Sequence, residues 1–259
     1  MTADGAGQQV AQRPVALVTG AGRRAGIATA TALRLAQTGW DIAFTHFAAY
    51  DAQQAWGADA GATEELAAAL RQAGARGCAI EADFADPGAP VRVFDQVQDE
   101  LGAVAGLVLG HAESVNSTIL GTDPESFDRH FAVNTRAGWL LIREFARRFS
   151  SPPGTGRVVA LTSDHTAGNL PYGASKGALD RIVIAASHEL AHLRISANCV
   201  NPGPTDNGWM TEQQKAELLA ATPLGRLGQP RDAANLIAFL CSAEGGWVNG
   251  QLLHSNGGL

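Results

Sequence analysis

What the chain lacks narrows it first. Its 259 residues include only 3 cysteines, Cys78, Cys199 and Cys241, set far apart and without the short spacing of a metal site or a disulfide framework. They read as small buried hydrophobes in a reducing cytoplasm, and no metal is expected. Lys and Arg number 19 against 25 Asp and Glu, so the basic footprint that a nucleic-acid partner needs is missing. No apolar run reaches membrane-spanning length, and Met1 to Arg13 has no signal-peptide core. These absences leave a soluble, cytoplasmic protein with a flexible segment at 1–13, no membrane partner and a small-molecule substrate.

What is present builds a core. Hydrophobic residues make up 46% and charged ones 17%, an ordinary globular composition. Short apolar runs at Val15 to Thr19, Ile42 to Thr45, Cys78 to Glu81, Leu107 to Gly110, Val158 to Thr162, Ser196 to Val200 and Gln251 to Ser255 read as buried strands. Helix-length patterns separate them, over Gly26 to Thr38, Thr63 to Ala73, Pro87 to Leu101, Pro124 to Phe149, Tyr172 to Leu193, Thr211 to Ala221 and Pro230 to Ser242. Strict alternation predicts an α/β fold, a doubly wound, seven-stranded parallel sheet with helices on both faces. No linker or repeat divides the run, so 14–259 reads as one domain.

The first strand runs into "TGAGRRAGIA", Thr19 to Ala28, and then a helix. Gly20, Gly22 and Gly26 allow backbone shapes and a close approach that side chains would block, and the helix start presents free N–H groups to a pyrophosphate. Where an NAD-preferring site carries an acidic side chain, at the end of the second strand, this chain has Thr45, His46 and Phe47. With no carboxylate there to repel a phosphate, the fork of Arg23 or Arg24 suits a 2'-phosphate and selects NADP(H) over NAD(H).

A second motif, "NLPYGASKGALD", sets Tyr172 and Lys176 one helical turn apart, with only Gly173, Ala174 and Ser175 between them. A neighbouring ammonium favours the phenolate, so Lys176 is expected to draw the Tyr172 pKa down toward neutrality, where proton transfer works best.

Taken in order, these stretches resemble the short-chain dehydrogenase/reductase family, with a general likeness to its beta-ketoacyl-acyl-carrier-protein reductases, from Pro14 to Leu259. The resemblance implies a Rossmann-type fold. It also implies cofactor contacts from Gly20, Gly22, Arg23, Arg24, Gly26, Ile27 and His46, from Asp83 and Phe84 in "EADFAD", and from Pro202, Gly203 and Thr205 in "NPGPTD". It places Ser163 of "LTS" beside the reacting oxygen, makes Tyr172 the proton donor, has Lys176 hold ribose hydroxyls, and has Asn134 of "FAVNTRA" anchor a relay water. It further implies pairing of the long helices into a homotetramer or dimer.

The chain departs from the family pattern in places. The long cofactor turn ending in Ala28 is similar to the enoyl-reductase branch, but that branch spaces its tyrosine and lysine further apart, so carbonyl reduction is expected. "LGHAES", Leu109 to Ser114, replaces an asparagine-rich turn, with His111 either standing in for part of it or simply packed. The interval from Ser163 to Tyr172 is short, which puts His165 at the cleft. Asn207 stands where a cofactor-contacting threonine is usual. The segment 205–228 is where the family carries its substrate cover, with Trp209, Met210, Leu218 and Leu219 as pocket candidates. A beta-ketoacyl thioester on a carrier would want a basic patch, for which Arg143, Arg147 and Arg148 are candidates. The alternative function is an NADP(H) sensor or partner-binding protein without catalysis.

Overall fold

Seven strands form in the computed structural model, which describes residues 13–54 and 56–259. They are β1 (Val15–Thr19), β2 (Asp41–His46), β3 (Gly77–Glu81), β4 (Val104–Leu109), β5 (Arg157–Leu161), β6 (Ser196–Asn201) and β7 (Leu252–His254). All neighbours pair parallel in the order β3-β2-β1-β4-β5-β6-β7. Every residue of β1, β4, β5 and β6 is buried, which is why they read as unbroken apolar runs. The edge strand β3 alternates exposed and buried residues, because only part of it is covered.

Among the described residues nine α-helices connect them: α1 (Ile27–Gln37), α2 (Ala48–Asp51), α3 (Ala62–Gln72), α4 (Ala89–Glu100), α5 (Pro124–His130), α6 (Ala137–Arg148), α7 (Leu170–Glu189), α8 (Glu212–Ala221) and α9 (Pro230–Cys241). On one face of the sheet α1, α3 and α9 bury Leu35, Leu66, Leu70, Ile237 and Leu240. On the other, α4, α6 and α7 bury Phe94, Val97, Leu141, Phe145, Leu179 and Val183. Each such side chain contributes roughly 1.5–3 kcal/mol by leaving water. The three cysteines are free and buried.

Two expectations change. The helix read as continuous from Pro124 to Phe149 is interrupted by a π-helix, Phe131–Arg136, where Asn134 and Thr135 turn to bond the chain at Glu113 and Ser175. The short helix α2 was not foreseen, since four residues show no period. The expected flexible N-terminal segment lies outside the described residues except for Arg13, which is tied down by donating to the carbonyls of Gly74 and Trp40, each at 3.0 Å. No described helix is long and apolar enough to cross a membrane. From β1 the sheet grows one way through β2 and β3 and the other way through β4, and this reversal opens a crevice at the strands' C-terminal ends.

Candidate active site

A cleft of about 550 Å3 occupies that crevice. Its floor is the turn after β1. Gly20 has φ +82°, and a Cβ there would lie 2.7 Å from the His111 backbone, so only glycine fits. The N-cap of α1, Gly26, offers no side-chain cap, and the first turn carries no acidic residue, which leaves its N–H groups to an anion. This cradle fits the pyrophosphate of a dinucleotide. Gly22, Ile27, His46, Asp83, Phe84, Pro202, Gly203 and Thr205 line the same cleft.

The two arginines of the turn part company. Arg23 lines the cleft, with its guanidinium 4.3 Å from the centre of the Trp56 ring and an N–H donated to the Asn207 carbonyl. Arg24 points away, pairing with Asp59 and Glu65 and donating to the Ala60 carbonyl at 2.9 Å, and it does not line the cleft. Its expected cofactor contact is thereby corrected. The expectation that no carboxylate sits at the end of β2 also needs correction. Helix α2 folds back, and Asp51 Oδ2 lies 2.8 Å from where a Cβ on Gly22 would stand.

Tyr172 sits in the first turn of α7, just after Pro171, and lines the cleft together with Ser163, which lies just beyond β5. Lys176 is 2% exposed; its Nζ donates to the Leu161 carbonyl at 2.9 Å and lies 5.8 Å from the centre of the Tyr172 ring. Gly173 is required because the short loop before α7 runs over it, so that a Cβ would collide with the His165 carbonyl. That loop brings His165 to the cleft, with its N–H donated to Ser163 Oγ at 3.1 Å.

Burial pushes the Tyr172 phenol up to about 12, with the nearby Ser163 hydroxyl acting in the lowering direction. The expected acidification by Lys176 does not appear: burial dominates, and the Lys176 ammonium is turned to the Leu161 carbonyl. Burial in turn lowers Lys176 to about 8, with Asp180 opposing.

The turn after β4 replaces its asparagines with a different set of bonds. His111 Nε2 lies 3.0 Å from the Val133 carbonyl, which can only accept, so Nε2 carries the proton and Nδ1 accepts from Thr19 Oγ1 at 2.6 Å. Burial and the nearby Lys176 charge hold this imidazole neutral, with a pKa down at about 3. Asn134, 1% exposed, clasps Glu113 by accepting from its N–H at 2.7 Å and donating to its carbonyl at 2.9 Å, and also donates to Ser175 Oγ. Its side chain is spent on these bonds and does not line the cleft. The Glu113 carboxylate pairs with Arg129 at 2.9 Å, and His130 Nε2 accepts from Val115 N–H.

The cover segment closes on itself through a bridge between Thr205 and Gly228, with Asp206 N–H donated to the Gly228 carbonyl at 2.8 Å. Trp209, Met210 and Leu218 line the cleft, whereas Leu219 does not and is 43% exposed. Trp209 stacks on Trp56 at 5.2 Å between ring centres. Arg143, Arg147 and Arg148 pair with Glu144 and Asp95, so they form no free basic patch. Sequence reasoning missed Tyr50, Asp51, Trp56, Glu113 and Arg129 as cleft residues. The aromatics in the unusually long connection after β2 were the only signal for the first three.

Comparison with known proteins agrees with this geometry. Residues 20–259 match the family model described as "Enoyl-(Acyl carrier protein) reductase". The "Uncharacterized oxidoreductase YjdA" of Bacillus subtilis (strain 168) is 40% identical over 252 residues, covering 95% of this chain and 97% of the relative. A blue fluorescent protein from a metagenomic library, solved with NADPH, superposes with TM-score 0.84 at 32% identity, covering 95% of this chain and 97% of its own. The landomycin C-6 ketoreductase LanV, solved with NADP and rabelomycin, gives TM-score 0.81 at 28% identity, with 95% of both chains covered. Together with the glycine turn and the sheet order, these matches establish that the chain belongs to the short-chain dehydrogenase/reductase family of oxidoreductases.

Proposed function

We propose that the protein is an NADPH-dependent reductase of ketones or aldehydes, with Tyr172 as proton donor. The observation that carries this reading is the gathering of Ser163, Tyr172 and Lys176 in the same cleft as the glycine turn, with the Lys176 ammonium 5.8 Å from the centre of the Tyr172 ring. The nicotinamide, when bound, supplies the hydride. Ser163 and Tyr172 converge on one carbonyl oxygen, Ser163 by hydrogen bonding and Tyr172 by giving up its proton as charge develops there. A phenol at about 12 is protonated at neutral pH, the form a donor requires. Lys176 contributes positive charge beneath the phenol and would hold ribose hydroxyls. Asn134 serves the relay by keeping Glu113 and Ser175 in place. Arg23 reads the 2'-phosphate, which agrees with relatives solved with NADPH and NADP.

Carbonyl rather than enoyl reduction is supported by the four-residue spacing of Tyr172 and Lys176 and by the ketoreductase among the structural neighbours. The stacked tryptophans at the mouth suit a flat, aromatic carbonyl compound. A carrier-bound beta-ketoacyl thioester fits less well, because the three candidate arginines are turned to the carboxylates of Glu144 and Asp95. The protein works as a homodimer or homotetramer, supported by Trp139, Phe239 and Trp247, which stand 47%, 44% and 97% exposed on one chain. Loss of NADPH absorbance over a panel of aromatic ketones and aldehydes tests the activity. Turnover of at least one class is expected; nucleotide binding with no turnover of any would leave the sensor reading instead.

A further inference from the structure

We propose that Asp51 sets the nucleotide preference of the cleft, its carboxylate competing with the ribose 2'-phosphate for the place between Gly22 and Arg23. This rests on the reading that Arg23 receives that phosphate. Asp51 ends α2, the helix that the long connection after β2 adds, and it is 8% exposed. Its Oδ1 accepts from Trp56 Nε1 at 3.2 Å, and Trp56 in turn stacks on Arg23. Its Oδ2 comes to 2.8 Å from the Cβ position of Gly22, a point also 3.5 Å from His46 Cβ at the end of β2. Asp51 is one of the two groups whose charge acts on Arg23.

The end of β2 is the place where the fold tells a ribose hydroxyl from a ribose phosphate. A carboxylate accepts a hydrogen bond from the hydroxyl, but it repels a phosphate of the same sign at short range. Arg23 has the opposite effect, since its fork suits the phosphate. The two side chains therefore pull the preference in opposite directions from adjoining positions. Asp51, five residues beyond His46, restores from a helical turn the acidic group that the C-terminal end of β2 lacks.

Calorimetric titration of the full chain with adenosine 2',5'-bisphosphate and with adenosine 5'-monophosphate isolates the 2'-phosphate from the rest of the dinucleotide. Asp51→Asn keeps an oxygen for the Trp56 indole while removing the charge. It should tighten the bisphosphate about tenfold and leave the monophosphate equal or weaker. Asp51→Ser, the second neutral variant, should shift the ratio of the two affinities in the same direction. Asp51→Glu keeps the charge and should hold that ratio closer to wild type than either neutral variant.

A ratio unmoved in both Asp51 variants would overturn the proposal. So would a shift in Asp51→Glu as large and in the same direction as that in Asp51→Asn, because the placement of the segment, not its charge, would then be responsible. Arg23→Ala tests the underlying reading separately. If it leaves the bisphosphate affinity unchanged, Arg23 does not receive the phosphate, whatever the Asp51 variants show.

Discussion

At the scale of single residues, the cleft's chemistry turns on two groups, the half-buried Tyr172 and the buried Lys176, driven in opposite directions by the same cause. Desolvation raises the Tyr172 phenol to about 12 and lowers the Lys176 ammonium to about 8, because each loses stability in its charged form. The signs give a pH prediction. Below about 8 Lys176 is charged and Tyr172 protonated, which is the state for carbonyl reduction. Above that value Lys176 loses its proton, and the reductive rate falls. Oxidation of the alcohol needs the phenolate, whose population grows up to about 12, so the reverse rate should rise over the alkaline range. Initial rates in both directions across pH check this. A reductive rate that climbs above pH 8 contradicts the assigned state of Lys176.

Elements hold these residues in place, and the turn after β4 is the most informative. Its bonds run from His111 to Thr19 and Val133, from Glu113 to Asn134 and Arg129, and from Val115 to His130. His111 stays neutral in the folded chain down to about 3, whereas an unfolded chain takes up the proton near 6.5. The unfolded state thus binds more protons between those values, so the contribution of His111 is complete above 6.5 and fades as pH falls toward 3. Thermal melts from about pH 7 down to about pH 4 should show a steep loss of stability in wild type and a shallower one in His111→Asn. Parallel curves would remove His111 from this role.

The turn also shows what was legible in the residue order. The strands and the glycine turn were legible, because a parallel sheet buried on both faces leaves an unbroken apolar signature and β1 leads directly into α1. Tyr172 and Lys176 were legible because helical spacing alone puts them on one face. The π-helix was not, since its cause lies in bonds from Asn134 and Thr135 to residues Glu113 and Ser175, 21 and 40 positions away. Asp51 was missed for the same reason: the folding of a connection with no period of its own carries it to Gly22, 29 positions earlier. The pKa of Tyr172 was misjudged because proximity to Lys176 is visible in sequence and burial is not.

For the whole molecule, the doubly wound sheet makes the cleft part of the core rather than an appendage. The turn, Ser163 and Asn201 all stand at strand ends, so a ligand there contacts several elements at once. NADPH at a hundred times its dissociation constant should stabilise the folded chain by about 2.7 kcal/mol, a rise of roughly 5–11 °C in Tm for a chain of this size. Differential scanning fluorimetry reads that shift, and no shift at saturating NADPH would contradict the assignment of the cleft. The central claim is narrower: the Tyr172 hydroxyl gives the proton. Its most direct test is steady-state reduction by Tyr172→Phe beside a calorimetric NADPH titration of the same variant. The expected result is kcat reduced at least about a hundredfold with the NADPH Kd within about twofold of wild type. Wild-type kcat in a variant that has lost only that hydroxyl would contradict it.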